Sequence, residues 1–221
     1  MSAKGKGYRA VIAGQAVYTH RTLDLYDFVV LGVSNTLIWK CPTSRLLDLY
    51  NRHVGIRHLD VGVGTGWFLD HCRFPESQLQ ITLLDLNPAC LARAAARIQR
   101  YAPRAVQANV LELSDLDLGP FTSIGLNYVL HCLPGDLGEK AVVFDNLKPC
   151  LAPGGVMFGS TLLSEGVERS RAARTLMRFY NSKGIFSNER DGLVSLRREL
   201  EDRFDDVTIE VVGCAALFVV R

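Results

Sequence analysis

Three glycines at alternate positions follow an acidic residue in the segment HLDVGVGTG, which contains Asp60, Gly62, Gly64 and Gly66. Glycine allows positive φ angles, and its missing Cβ lets a ligand approach the main chain closely. Trp67 stands where the dinucleotide pattern G-x-G-x-x-G would place its third glycine, so the pyrophosphate site typical of that pattern is not predicted. A carboxylate at Asp60 would repel a phosphate and attract a cation. The segment therefore predicts a site for a cationic ligand without a phosphate.

A second acidic residue, Asp85, closes the next predicted strand, nineteen positions after Gly66. A carboxylate at this place in an open α/β sheet can accept hydrogen bonds from both hydroxyls of a ribose. Two carboxylates around bare main chain indicate a nucleoside that carries a positive charge and no phosphate, and S-adenosylmethionine fits this description. The structural alternative is that the glycines serve only a tight turn.

Short apolar strands alternate with amphipathic helices from about residue 57 onward. The predicted strands are IRHLDVGV, LQITLLDLN, RAVQANVLEL, FTSIGLNYVLHCL and GVMFGSTLL. The predicted helices between them are GWFLDHCRF, PACLARAAARIQRYA and KAVVFDNLKPCLA, the last of them stopped by Pro153-Gly154-Gly155. Strands that are separated by helices pair in parallel, with right-handed crossovers.

The C-terminal region breaks this alternation. After the predicted helix LVSLRRELEDRF, only Gly213 and Cys214 separate VTIEVV from AALFVV, and so short a link requires antiparallel pairing. The sequence thus predicts a Rossmann-like, doubly wound α/β fold whose mostly parallel seven-stranded sheet ends in an antiparallel C-terminal hairpin. Residues 1–54 are predicted to form an N-terminal helical cap, with helices around LDLYDFVVLG and SRLLDLYNRHVG. Residues 55–221 are predicted to form the cofactor-binding core, so that the whole chain, 1–221, is one domain.

Composition excludes several classes of function. Lysine plus arginine outnumber aspartate plus glutamate by only 25 to 23, which argues against a nucleic-acid partner. The six cysteines include no C-x-x-C pair, so we expect reduced thiols and no metal site. No apolar run approaches the length of a membrane span, which takes about 18 residues or more. We therefore expect a cytoplasmic protein, with a homodimer left open.

The chain resembles the class I S-adenosylmethionine-dependent methyltransferases. LDVGVGTG is similar to the first motif of that family, LLDLNP to its second, and LAPGGVMFGSTLL to its Pro-Gly-Gly turn and fifth strand. The resemblance covers about residues 55 to 221. Upstream, YDFVVLGVSNTLIWKC is locally similar to the entry helices of the ubiquinone/menaquinone C-methyltransferase branch.

The resemblance implies which residues bind the cofactor. The amino-acid half of the cofactor would be lined by Asp60, Gly62, Gly64 and Gly66, and the Asn127 carbonyl would lie near its amino group. The ribose would be held by Asp85. The adenine would lie against Leu86, and its edge would be reached by Asn109 and Val110. Many relatives carry aspartate where Asn109 stands, and an amide can still hydrogen-bond there.

Methyl transfer to an acidic acceptor can use a base. His131, shortly after the fourth predicted strand, is the first candidate and His20 the second; the alternative for His131 is that it only caps a helix or orients a loop. The binding pocket for an aromatic acceptor could be lined by Tyr18, Trp39, Trp67, Tyr128 and Phe186. The alternative is that these residues belong to the hydrophobic core. The segment FYNSKGIFSNERDG is predicted to be a lid or acceptor loop and not a helix.

The favoured function is methylation of a small specialised metabolite, aromatic or polyketide-like, at an oxygen, carbon or nitrogen atom. The segment LNYV lacks the Asn/Asp-Pro-Pro-Tyr/Phe stretch that usually accompanies methyltransferases acting on nucleic acids. Methylation of a protein is left as an open alternative. The alternative is an S-adenosylmethionine-binding protein that does not methylate, such as a cyclase or a regulatory partner. A nicotinamide oxidoreductase is disfavoured by Trp67.

Overall fold

The computed structural model of the chain describes residues 27–75, 78–113 and 118–221. The strands are β1 (Arg57–Val61), β2 (Gln80–Asp85), β3 (Arg104–Gln107), β4 (Phe121–Asn127), β5 (Leu151–Leu162), β6 (Val207–Val212) and β7 (Ala215–Val220). They form one seven-stranded sheet in the order β3-β2-β1-β4-β5-β7-β6. The first five strands pair in parallel, and β7 is antiparallel to both β5 and β6. The predicted sheet and its C-terminal hairpin are confirmed.

Helices cover both faces of this sheet. They are α1 (Thr43–His53), α2 (Trp67–His71), α3 (Pro88–Arg97), α4 (Leu137–Lys140), α5 (Val142–Leu147), α6 (Arg171–Ser182) and α7 (Leu193–Glu201). Side chains of α1, α2, α3 and α6 are buried in one apolar core, and those of α4, α5 and α7 in the other. The fold is therefore doubly wound, as predicted. Strand order reverses between β1 and β4, where the carboxyl ends of the strands leave a crevice for ligands.

The predicted role of Pro153-Gly154-Gly155 in stopping a helix is wrong. Helix α5 already ends at Leu147, and a 3₁₀ turn over Lys148–Cys150 follows it. Pro149 lies in this turn, and because proline has no main-chain N–H it cannot continue the helical hydrogen bonds. The Pro-Gly-Gly segment lies inside β5, near an irregularity in the register between β4 and β5.

The segment FYNSKGIFSNERDG is partly helical, contrary to the prediction. Its first four residues are the last turn of α6, and residues 183–192 form a loop. Ser170 caps the start of α6, and its hydroxyl accepts a hydrogen bond from the Ala173 amide at 3.0 Å. Ala173 and Met177, four residues apart, bury one face of the helix. The prediction missed this helix because only a narrow stripe of it is apolar.

The N-terminal region is described from Asp27 onward. A π-helix spans Asp27–Ile38 and is followed by α1, whose residues Leu46, Leu49 and Tyr50 are buried. Helices are thus found in the described part of the predicted cap. Tyr18 and His20 lie outside the described residues.

Two absences hold for residues 27–75, 78–113 and 118–221. No helix there is long and apolar enough to cross a membrane. No group of three or more His, Cys, Asp or Glu side chains in these ranges could hold a metal ion. All six cysteines fall within the ranges as thiols, and five of them are buried.

Candidate active site

The predicted cofactor-binding residues meet at the carboxyl edge of β1, β2 and β4. A cavity of about 150 Å³ is lined by Gly62, Gly64, Asp85, Leu86, Asn109, Val110 and Asn127, together with Tyr128 and other residues. An adjoining cavity of about 50 Å³ is lined by Asp60 and Gly66, and it shares Gly62, Gly64, Asn127 and Tyr128 with the first. The structure therefore brings all nine predicted residues around two neighbouring cavities that share four lining residues.

The three glycines serve three different purposes. All have positive φ, at 68°, 52° and 73° for Gly62, Gly64 and Gly66. A Cβ at Gly62 would lie 2.5 Å from a methyl of Val129, and one at Gly66 would lie 2.9 Å from the Cα of Ala94 in α3. A Cβ at Gly64 would meet no atom within 4 Å. Gly62 and Gly66 thus permit close packing, while Gly64 leaves the space that a ligand would occupy.

Asp85 lies at the end of β2 with its carboxylate among main-chain amides. The Asn87 amide donates a hydrogen bond to Asp85 Oδ1 at 2.8 Å. Burial raises the pKa of Asp85 to about 6, and hydrogen bonds from the amides of Asn87, Gly64 and Val63 oppose this rise. The carboxylate therefore ionises near neutral pH, and its charged form is well suited to accept hydrogen bonds from two ligand hydroxyls.

Asp60 is buried and held by a residue that the sequence analysis did not single out. The Tyr50 hydroxyl of α1 donates a hydrogen bond to Asp60 Oδ1 at 2.7 Å. On the other side, His58 Nε2 lies 3.5 Å from the same oxygen, while His58 Nδ1 lies 2.8 Å from Ser123 Oγ. Burial, followed by the charge of Asp60, raises the pKa of Tyr50 well above its usual value. Tyr50 thus remains a donor that orients the carboxylate.

We expect Tyr50→Phe to weaken S-adenosylmethionine binding by about three- to tenfold, because Asp60 would lose a charge-assisted hydrogen bond in a buried place. Isothermal titration calorimetry measures the change. Tyr101→Phe is the matched control, since Tyr101 lies at the opposite edge of the sheet, in a surface groove with Arg100, and should leave the affinity unchanged. Equal affinities for Tyr50→Phe and the unaltered protein would contradict the role of Tyr50.

Strand β4 ends at Asn127, and the chain turns at Tyr128. The Ser160 hydroxyl donates a short hydrogen bond to Asn127 Oδ1, and the Tyr128 amide donates to the Ser160 carbonyl at 2.9 Å. Tyr128 has a φ of 59°, a left-handed conformation that is strained for a bulky residue. Such strain is typical of functional sites, and here it falls where the two cavities meet.

His131 is 3 % exposed and lines neither cavity. Its Nδ1 accepts a hydrogen bond from the Leu162 amide at 3.2 Å, and Thr161 Oγ1 lies 3.4 Å from the same atom. This arrangement assigns the ring proton to Nε2. Burial, and secondly the charge of Lys140, lowers the pKa of His131 to about 3. In this arrangement His131 is neutral and a poor proton acceptor.

The predicted aromatic residues fall into two groups. Trp67 and Tyr128 line the smaller cavity, and the Trp67 ring stacks on His71 at 4.0 Å between centroids. Phe186 contacts His131 edge to face, with centroids 4.6 Å apart, and its ring lies 6.3 Å from that of the buried Trp39. The Tyr128 ring joins this second group, 5.4 Å from His131. This second group therefore meets the cofactor cavities through Tyr128, while Trp39 and Phe186 line neither of them.

Comparisons with known proteins identify the family of the chain. A methyltransferase domain model matches residues 59–157. The chain belongs to the class I S-adenosylmethionine-dependent methyltransferases, and S-adenosylmethionine is its cofactor.

Among its relatives, demethylluteothin O-methyltransferase of Streptomyces thioluteus is 39 % identical over 94 % of this chain and 90 % of its own length. The physcion biosynthesis cluster O-methyltransferase of Aspergillus chevalieri is 38 % identical over 93 % of each chain. In structure, DhpI in complex with S-adenosylhomocysteine shares the fold with a TM-score of 0.67 at 14 % identity, over 100 % of this chain and 98 % of that one.

Proposed function

We propose that the protein transfers the methyl group of S-adenosylmethionine to a hydroxyl oxygen of a small, planar aromatic or polyketide-like specialised metabolite. The observation that carries this proposal is the aromatic cluster of Trp39, Tyr128 and Phe186, in which Tyr128 lines both cofactor cavities and Phe186 is linked to it through His131. Aromatic side chains position planar molecules by stacking and edge contacts. Two relatives whose names specify O-methylation at 38 % and 39 % identity support oxygen as the acceptor atom.

In the proposed site, each end of the cofactor has its own residues. Asp60 and Gly66, beside the smaller cavity, would hold the amino-acid end, with the Asn127 carbonyl near its amino group. Asp85 would accept both ribose hydroxyls, while Leu86, Asn109 and Val110 would surround the adenine. The bound cofactor supplies a sulfonium methyl group. The chain's own contribution would be to exclude water and to hold the acceptor oxygen in line, about 3 Å from that methyl.

His131 would contribute as a neutral positioning group. Its Nδ1 lone pair is already engaged by the Leu162 amide, and its pKa is lowered to about 3. We propose that the acceptor hydroxyl loses its proton to solvent before it binds and that His131 holds Phe186 and Tyr128 in place by ring contacts. The role predicted for His20 stays a prediction outside the described residues.

We expect His131→Asn to lower kcat by less than about tenfold, because asparagine Oδ1 can still accept the Leu162 amide. Removing a true general base would lower the rate by about a hundredfold or more. Rates measured from pH 6 to 9 check this, and the variant should show the same pH profile as the unaltered protein. A loss above a hundredfold, with an ionisation that disappears in the variant, would restore the general-base assignment.

The proposed activity is tested by supplying S-adenosylmethionine with a deuterated methyl group and a panel of acceptors: a phenol, a hydroxypyranone, a hydroxyquinone and an indole. Mass spectrometry should find S-adenosylhomocysteine in equal amount to a product labelled on a hydroxyl oxygen. A label on carbon or nitrogen would overturn the choice of acceptor atom. S-adenosylhomocysteine binding without turnover of any member would instead favour the non-methylating alternative.

We also propose that the chain acts as one domain with a small-molecule partner. The predicted homodimer and cytoplasmic location stay predictions. Light scattering of the purified protein and cell fractionation test them.

A further inference from the structure

We propose that the buried ion pair between Lys140 and Asp191 is a positioning element for the acceptor. In this view the pair fixes residues 183–192, here named the acceptor loop, so that Phe186 stays against His131 beside the cofactor space. The inference rests on the proposed function, which places the acceptor next to this aromatic cluster.

The pair is enclosed completely and reaches three parts of the chain. Both side chains are 0 % exposed, and Lys140 Nζ lies 2.6 Å from Asp191 Oδ2. The same ammonium donates a hydrogen bond to the Ser187 carbonyl at 2.5 Å. The Asp191 carbonyl in turn accepts a hydrogen bond from the Ser164 amide at 2.8 Å. Lys140, at the end of α4, thus holds the middle and the end of the acceptor loop. The Asp191 main chain links the end of the loop to the region after β5.

The acceptor loop is joined directly to the aromatic cluster. The Ser187 amide donates a hydrogen bond to the His131 carbonyl at 2.8 Å, so both polar groups of the Ser187 main chain are engaged. The Asn188 side chain donates to the Leu162 carbonyl at 2.9 Å. Phe186 precedes these anchored residues and contacts His131, with centroids 4.6 Å apart. The hydrogen bond from Lys140 to the Ser187 carbonyl is therefore one of the contacts that fix the residue next to Phe186.

Stability alone does not explain this pair. Buried ion pairs lose so much hydration that apolar replacements of similar volume often leave stability unchanged or higher. Here the pairing is incomplete as well, since Asp191 Oδ1 is buried with no hydrogen-bond partner among the described residues. What an apolar pair could not supply is a donor for the Ser187 carbonyl. The specific contribution of Lys140 is therefore the geometry of the acceptor loop.

The test uses the double variant Lys140→Met/Asp191→Leu, which removes both charges together and leaves neither unpaired. The matched control is Arg197→Met/Glu201→Leu, an ion pair on α7 whose side chains are 47 % and 54 % exposed. We expect the double variant to melt within a few degrees of the unaltered protein and to bind S-adenosylhomocysteine within about threefold. Amide exchange in residues 183–192 should accelerate at least about tenfold. The KM of the panel compound turned over by the unaltered protein should rise at least about tenfold, with a smaller change in kcat.

Three results would overturn the inference: unchanged amide exchange in the acceptor loop, an unchanged acceptor KM, or a loss of cofactor affinity as large as the loss for the acceptor. If no panel compound is turned over by the unaltered protein, the proposed function fails, while amide exchange still decides whether the pair fixes the loop. Should the double variant not fold, Lys140→Gln/Asp191→Asn removes both charges while keeping hydrogen-bonding side chains, and is expected to show the same pattern at about threefold.

Discussion

Replacing Asp85 with asparagine is expected to weaken S-adenosylmethionine binding at least about tenfold at pH 8 while raising the melting temperature of the unliganded protein. Affinity falls because an amide offers one acceptor oxygen where the carboxylate offers two to the ribose hydroxyls. Stability rises because the charged carboxylate is held in an unfavourable, partly buried place. Calorimetry and thermal unfolding of the same preparations check both effects.

The sign of the stability effect follows from the pKa of Asp85, which burial raises from 3.8 to about 6. As pH rises, the Asp85 carboxyl loses its proton in the unfolded chain before it does so in the folded protein. The contribution of Asp85 to folding stability is therefore largest below pH 4 and is lost as pH rises through about 6. At pH 8 the ionised group costs about 1–3 kcal/mol. Asp202→Asn, at an exposed position, is the control and should change neither quantity. A lower melting temperature for Asp85→Asn at pH 8 would contradict this account.

The second large effect is expected when Gly66 and Gly64 are each replaced by alanine, because the two variants should lose different properties. Gly66→Ala should destabilise the fold by about 2–4 kcal/mol, because its Cβ would lie 2.9 Å from the main chain of α3 at a φ of 73°. Gly64→Ala meets no protein atom within 4 Å and should cost only about 1 kcal/mol, for its positive φ. Its Cβ would enter the cofactor space, so affinity for S-adenosylmethionine should fall at least about tenfold.

Chemical denaturation and calorimetry on both variants separate these outcomes. The two substitutions are chemically identical and two positions apart, so each is the control for the other. Equal losses of stability at both positions would show that backbone strain alone decides the stability. An unchanged cofactor affinity for Gly64→Ala would show that the space beside Gly64 is not reserved for a ligand.

The cofactor side could be predicted from the sequence because its residues follow local rules. Asp60, the glycines and Asp85 each stand at the end of a strand, and parallel strands bring these ends to one edge of the sheet. The C-terminal hairpin could also be predicted from the sequence, since a link of two residues between strands allows only antiparallel pairing. In both cases a short stretch of chain determines the geometry.

The rest depends on contacts between distant parts of the chain. Tyr50 reaches Asp60 only because α1 packs on the sheet, and Lys140 meets Asp191 across 51 positions. The position of His131 after β4 was visible in the sequence, but the engagement of its Nδ1 by Leu162 was not. Helix α6 was missed for a different reason, since its buried stripe of Ala173 and Met177 is narrow.

The most direct test of the central claim is the affinity for S-adenosylhomocysteine measured by calorimetry at pH 8 and pH 5. Protonation of Asp85, with its pKa at about 6, should make binding about tenfold weaker at pH 5 than at pH 8. The variant Asp85→Asn should bind weakly and equally at both pH values. No binding at pH 8, or the same pH dependence in the variant, would contradict the assignment of this cavity as the methyltransferase cofactor site.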